Sequence, residues 1–297
     1  MPILNLQQGP AISATWVATL EPHYDDVRLG RLVRAEDKVP YLQPSARSTF
    51  GSRIEGWRRQ SGIPRPSSAA RASVAAATVC RPLLAAGRWD ASQLGIVTAS
   101  TTSATATAVN FETRGLREGW DSVDPLLLPS TLPSALASQV SMALGARGFA
   151  LSCLVGLLGV FHAVEAAALG LIRGDADVTL VVVAEEQTEV QSIAHATLND
   201  LALEGEFAGA LALERGATSQ NRLCFVGYAE NRNDAVPAEW RNAPHYHVSA
   251  SHTTPSMQSS GAFRTLVRAL LEQHPRVVVT GTVSDLGTAC IGFEWST

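Results

Sequence analysis

Cysteine and histidine are the side chains of this sequence best suited to covalent or metal chemistry, and their spacing limits what they could do. Cys80, Cys153, Cys224 and Cys290 lie far apart, with no C-x-x-C pair. Neither a disulfide framework nor a zinc knuckle is implied, and a reducing cytoplasm is the expected setting. Cys153 stands in an apolar run just ahead of a long apolar helical stretch. A thiolate at a helix N-terminus has its pKa lowered by backbone N–H groups and the helix dipole, and can act as an acyl-transfer nucleophile. An acyltransferase or condensing enzyme using Cys153 with His247 or His252 is therefore one reading, and a small buried hydrophobe in a strand is the other. His245 and His247 alternate and would point the same way on a strand, a spacing compatible with metal binding. Two histidines do not define a metal site, an exposed edge or loop is the plainer account, and no metal or cofactor is expected. His162, inside the apolar helix, reads as a core or interface histidine with a local partner.

The elements that must position these groups are clearest in the middle of the chain. Phe149–Leu154 reads as a strand, Leu158–Arg173 as a buried helix stopped by Gly174, and Asp177–Ala184 (DVTLVVVA) as a buried strand. Strand, glycine turn, buried helix and strand make a βαβ unit with parallel strands. A weaker copy follows in Ser260–Gln273 (helix) and Arg276–Val283 (strand). Each copy has an apolar partner strand ending in glutamate, Phe207–Glu214 and Thr288–Glu294. This repetition predicts a duplicated α/β architecture. Upstream, Ser68 is placed to cap an alanine-rich helix that Gly87 stops, and Leu94–Ala99 reads as a short strand. Residues 109–118 have helical character. Asp124–Pro133 reads as a proline-bracketed loop before a helix over Ser134–Leu144 that ends at Gly145. Residues 41–68 read as loop with one helical piece around Gly51–Gln60.

Composition narrows the function classes. Of 297 residues, 46% are hydrophobic and 17% charged, which supplies a large core and excludes a disordered or fibrous chain. Lys plus Arg number 23 against 27 for Asp plus Glu, a net charge of −4 with Lys38 the one lysine, so the basic excess of a duplex nucleic-acid binder is missing. The N-terminus lacks the pattern of a signal peptide. The apolar stretch 148–172 is interrupted by Ser152, His162 and Glu165 and suits a buried helix rather than a membrane span. A soluble cytoplasmic protein with neither nucleic acid nor membrane as partner is expected.

Several motifs resemble the heart of a β-ketoacyl synthase of the thiolase superfamily. They are Asp124–Pro133 (DPLLLPSTLP), Ala137–Gly148 (ASQVSMALGARG), Gly174–Asp177 (GDAD) and the strand ending Ala184-Glu185. Ala69–Ala86 with Leu94–Thr98 resembles the family's first helix and strand, and Glu206–Glu214 (EFAGALALE) its Glu-Gly-Ala-Gly strand. Ser260–Ala262 and Gly287-Thr288 resemble two C-terminal landmarks. The resemblance spans residues 67–295 and implies an α/β, thiolase-like fold. Two related halves would form α-β-α-β-α layers, dimerised through the first half, with the C-terminal half shortened. The corresponding division is an N-terminal extension or interface segment 1–66, a first half 67–205 and a reduced second half 206–297.

The same resemblance places the family's nucleophile at Leu157 and its second histidine at Pro255, while the first histidine's His-Gly-Thr-Gly-Thr motif is absent over residues 215–250. A scaffold without its catalytic side chains is similar to a chain length factor, the non-condensing β-subunit of type II polyketide synthases. The implied partners are a ketosynthase α-subunit, in a heterodimer, and an acyl carrier protein in transient contact. No condensation by the chain alone is expected. The family's chain-length gates fall at Thr105, Ala108 and Glu112, two of them small, implying a longer channel. The shortened C-terminal half resembles factors of polyene-forming systems. A structural homodimer without a channel is the remaining alternative.

Overall fold

The computed structural model describes residues 3–7, 10–20, 28–32, 50–51, 53–188, 205–216, 221–230, 232–250, 259–283 and 286–295. Among the described residues, eleven strands form two sheets. β1 (Leu4–Asn5), β2 (Ile12–Leu20) and β3 (Arg28–Arg31) open the chain. β4 (Leu94–Ala99), β5 (Ala150–Cys153), β6 (Val178–Glu185) and β7 (Phe207–Arg215) follow. β8 (Asn221–Ala229), β9 (His245–Ala250), β10 (Arg276–Val283) and β11 (Gly287–Trp295) close it. The first sheet runs β3-β2-β7-β6-β4-β5 and the second β1-β8-β11-β10-β9. The predicted pair β5 and β6 are both parallel to β4, which lies between them. Each half then turns back through an antiparallel hairpin-like pair, β6 with β7 and β10 with β11.

Among the described residues the helices are α1 (Arg53–Gln60), α2 (Arg71–Gly87), α3 (Thr105–Glu118), the single-turn α4 (Leu128–Thr131), α5 (Ala135–Leu144), α6 (Gly159–Arg173), the single-turn α7 (Arg232–Ala235) and α8 (Ser259–Leu271). One face of the first sheet is covered by α1, α2 and α5, where Val74, Val79 and Leu83 meet Leu180 and Val182. Its other face meets α6 and α8, which in turn cover the second sheet through Phe161, Phe263, Val279 and Ile291. Among the described residues, the far face of the second sheet carries a small cluster that includes Trp240, Ala235, Val236 and Cys290. The layering is therefore α-β-α-β with a thin fifth layer, consistent with a shortened second half. The apolar segment Gly156–Arg173, long and apolar enough to span a bilayer, is the central layer of this sandwich.

The first 66 residues contribute more than sequence reveals. β2 pairs on both sides within the first sheet, while β1 joins the second. Asn221 at the head of β8 stitches the sheets together, its side chain bonding the Ala14 N–H at 2.8 Å and the Ala14 carbonyl at 2.7 Å. Other local expectations are corrected. Ser68 does not cap α2; it lies in a 3-10 turn and its hydroxyl donates to the Arg65 carbonyl. α2 ends instead at left-handed Arg88, and Gly87 is needed because a Cβ there would stand 2.2 Å from the Trp89 ring. The loop Asp124–Pro133 contains two helical turns, the first capped by Asp124 accepting from the Leu126 N–H. Gly174 does terminate α6, at φ 78°.

Phe161, 1% exposed, sits where α6 meets both sheets. Phe161→Ala should lower the unfolding free energy by about 3–5 kcal/mol in urea titration. A loss under about 1 kcal/mol would mean the central layer is looser than its packing indicates.

Candidate functional site

α6 begins from a tight turn. Val155 has φ −104° and ψ 37°, Gly156 has φ +55°, and a 3-10 turn over Gly156–Leu158 leads into the helix. A nucleophile here would stand at the end of a buried helix dipole. The residue present, Leu157, is 1% exposed. It packs with Phe161 against Gly281 of β10, where a Cβ would come within 2.9 Å of Leu157 and 2.4 Å of the Phe161 ring. The turn offers no reacting atom and has joined the core. Pro255 and His252 lie outside the described residues.

Cys153 ends β5, and its carbonyl accepts the Ser100 N–H at 3.2 Å. Burial, with a smaller push from Glu165, raises the pKa of its thiol to about 11, opposite to what a nucleophile needs. His245 and His247 are on β9, where His247 Nδ1 lies 2.8 Å from Thr280 Oγ1 and His245 Nε2 lies 3.2 Å from the Arg241 carbonyl. Among the described residues, no three His, Cys, Asp or Glu side chains are grouped as a metal site. His162 stacks on Tyr228, ring centroids 4.6 Å apart, with Nδ1 3.8 Å from Glu165.

Three buried carboxylates, which sequence reasoning passed over, organise the region beside this turn. Glu185, at the end of β6, is fully buried. Its Oε1 accepts the N–H of Thr101 at 3.0 Å and of Ser259 at 3.1 Å. Its Oε2 accepts the Thr102 N–H at 2.9 Å, the Thr102 hydroxyl at 2.7 Å and the Ser100 hydroxyl at 3.1 Å. Burial raises its pKa, while these donors pull it back. Glu186 accepts from Ala106 in the first turn of α3 at 2.7 Å and from Ala72 in the first turn of α2 at 3.4 Å. Burial, opposed by those N–H groups and by Arg71, lifts its pKa to about 7. Glu206 receives Arg71 Nε at 2.9 Å and Nη2 at 2.6 Å. A sequence signal existed: two acids directly at the end of an all-apolar strand, and a third directly ahead of the next.

The first turns of α3 line a cavity of about 340 Å³, and Thr105, Ala108 and Glu112 all face it. Thr101 and Thr102 close one wall, and Leu154 and Thr131 approach from the other elements. The cavity is thus mixed, with hydroxyls and small apolar groups and one carboxylate. α3 itself is poorly covered: Gly115 is its one buried residue. α3 touches α4, α4 touches α5, and α5 touches β5. Along that connected series Leu116, Leu128, Leu132, Leu151, Leu154 and Val155 are exposed, Leu116 by 78%. β5 is also the last strand of its sheet. An edge strand flanked by exposed leucines is a template for another chain.

No family model matches the sequence, and no curated protein matches it. Among solved structures, the chain is similar to one described as the ishigamide ketosynthase/chain length factor. The likeness covers 97% of this chain and 100% of that one, with TM-score 0.71 and 16% identity. It is similar to a type II polyketide synthase acyl-carrier protein complex with its ketosynthase (97% and 100% covered, TM-score 0.64, 16% identity). It is also similar to a ketosynthase complex with its chain length factor from Xenorhabdus doucetiae (96% and 99% covered, TM-score 0.57, 14% identity). The chain has the thiolase-like fold of these ketosynthase and chain length factor structures.

Two measurements follow from the electrostatics. With a pKa of about 11, roughly one Cys153 thiol in a thousand is ionised at pH 8. Its alkylation rate, followed by peptide mass spectrometry, should keep climbing past pH 9; a plateau near neutrality would identify an activated thiol instead. Glu186 takes up a proton on folding between its ordinary 4.5 and about 7. Its contribution to stability is therefore greatest in acid and falls as pH rises through that window. Glu186→Gln should flatten the pH dependence of the urea midpoint between about pH 5 and 7. An unchanged slope would show that this carboxyl titrates normally.

Proposed function

We propose that this chain is a chain length factor: a non-catalytic subunit that pairs with a ketosynthase α-subunit and bounds the channel in which a polyketide or polyene chain grows on an acyl carrier protein. The observation that carries the reading is the cavity on α3. The three positions that the family resemblance assigns as chain-length gates, Thr105, Ala108 and Glu112, line one cavity of about 340 Å³. They do so on a helix that the isolated chain hardly buries.

Two further features support it. The turn that would carry the nucleophile holds Leu157, tightly packed under β10, so condensation has to be performed by the partner. The exposed leucines along α3, α4 and β5 would cost roughly 25 cal/mol per Å² if left in water, which favours a covered face. Two small gates, Thr105 and Ala108, suit a long narrow channel of the kind a rigid conjugated chain requires. The assembly would work in the cytoplasm, with malonyl units delivered by the carrier protein in transient contact.

Co-expression with a ketosynthase α-subunit encoded beside it, where one is present, followed by native mass spectrometry, should give a one-to-one complex while the chain alone aggregates. A well-behaved homodimer that ignores the ketosynthase would defeat the reading. Within the complex, Ala108→Phe should shorten the product while malonyl consumption continues. Unaltered chain length with intact assembly would mean that this cavity is no part of a channel.

A further inference from the structure

The cavity wall has to be held still to measure a chain, and α3 contributes almost no core of its own. We infer that Glu185 is the positioning residue for that wall, setting product-length fidelity without touching the growing chain. This inference rests on the reading of the cavity as a chain-length channel.

Thr101 and Thr102 form the wall immediately ahead of α3. Both of their N–H groups, and the Thr102 hydroxyl, end on the Glu185 carboxylate at 2.7–3.0 Å. On its other side the same carboxylate accepts the N–H of Ser259, the first residue of α8. The Ser259 hydroxyl donates in turn to the Gly156 carbonyl at 2.7 Å. One buried group thereby connects the cavity wall, a central-layer helix of the second half, and the turn at the degenerate nucleophile position. Every main-chain group bonded to the Glu185 carboxylate is a donor. A carboxylate satisfies all of them, whereas an amide of the same shape must point its NH2 at one of those N–H groups. Glu185 itself does not line the cavity, so its influence on chain length runs through the loop it holds.

Glu185→Gln is the direct test, read in the reconstituted complex as the distribution of product lengths. The expected result is an intact complex in which the main product loses its dominance over its neighbours by about threefold to tenfold, the equivalent of one hydrogen bond's net contribution. Ser100→Ala removes a hydroxyl whose single proton is shared between the Ala184 carbonyl at 2.7 Å and this carboxylate at 3.1 Å and leaves the cavity lining unchanged, so it should move the distribution the same way by less. It decides the matter if Glu185→Gln does not fold. Val79→Ala, in the core of α2 on the outer face of the first sheet, serves as the stability-matched control. Equal broadening by that variant would reduce Glu185 to a general structural role and overturn the inference. So would an unchanged distribution in the carboxylate and serine variants while Ala108→Phe still shortens the product. If Ala108→Phe has no effect on length, the channel reading itself fails first.

Discussion

The rest of the molecule depends on two helices held between two sheets. α6 and α8 are covered on both faces, so most of their residues are buried. Residues such as Phe161 and Phe263, each 1% exposed or less, fix the sheets at the spacing that side chains of that size require. The glycines opposite them, Gly281 and Gly209, have no room for a Cβ against those same rings. The central layer is therefore set by paired large and vanishing side chains, and any site at its ends inherits that rigidity.

A different rule governs α3. A helix of this length is marginal in water unless a face of it packs, and here one glycine is buried. Its first turn is held by Glu186 and the loop ahead of it by Glu185, with Glu206 and its Arg71 fork beside them. Burying three carboxylates against one guanidinium is costly unless every lone pair finds a donor. The donors come mainly from helix starts and from the loop before α3, where N–H groups lack intrahelical partners. The cost of burial and the need to anchor an uncovered helix are thus met by the same contacts.

This explains why the sequence reads unevenly. The first βαβ unit was legible because its second strand is a nearly continuous apolar run and its helix ends at Gly174. The family resemblance, with its fixed spacing, assigns the nucleophile position to Leu157, and the same spacing led to the three residues that share the cavity. β2 escaped notice: its Ser13, Thr15 and Thr19 look like a polar loop, yet all are buried in a strand paired on both sides. The carboxylate group escaped for a sharper reason. An acid at a strand end looks solvated, and its partners Thr101, Ala106 and Ser259 are about 75 to 85 residues distant. Only the fold brings them together.

The fate of the turn before α6 follows from the same energetics. A nucleophile there requires an open approach, a polar pocket and a helix end left unpacked, all of which subtract from the stability of the central layer. A leucine in that position instead adds about 1.5–3 kcal/mol by leaving water and fills the space under Gly281. With Leu157 there, packing proceeds to completion, and the turn is part of what keeps the sheets apart. Around that turn the chain keeps a defined shape: a loop held by Glu185, a helix start held by Glu186, and a cavity walled by small and hydroxyl-bearing side chains. In a subunit whose proposed work is to bound a space, those are the features that selection would hold.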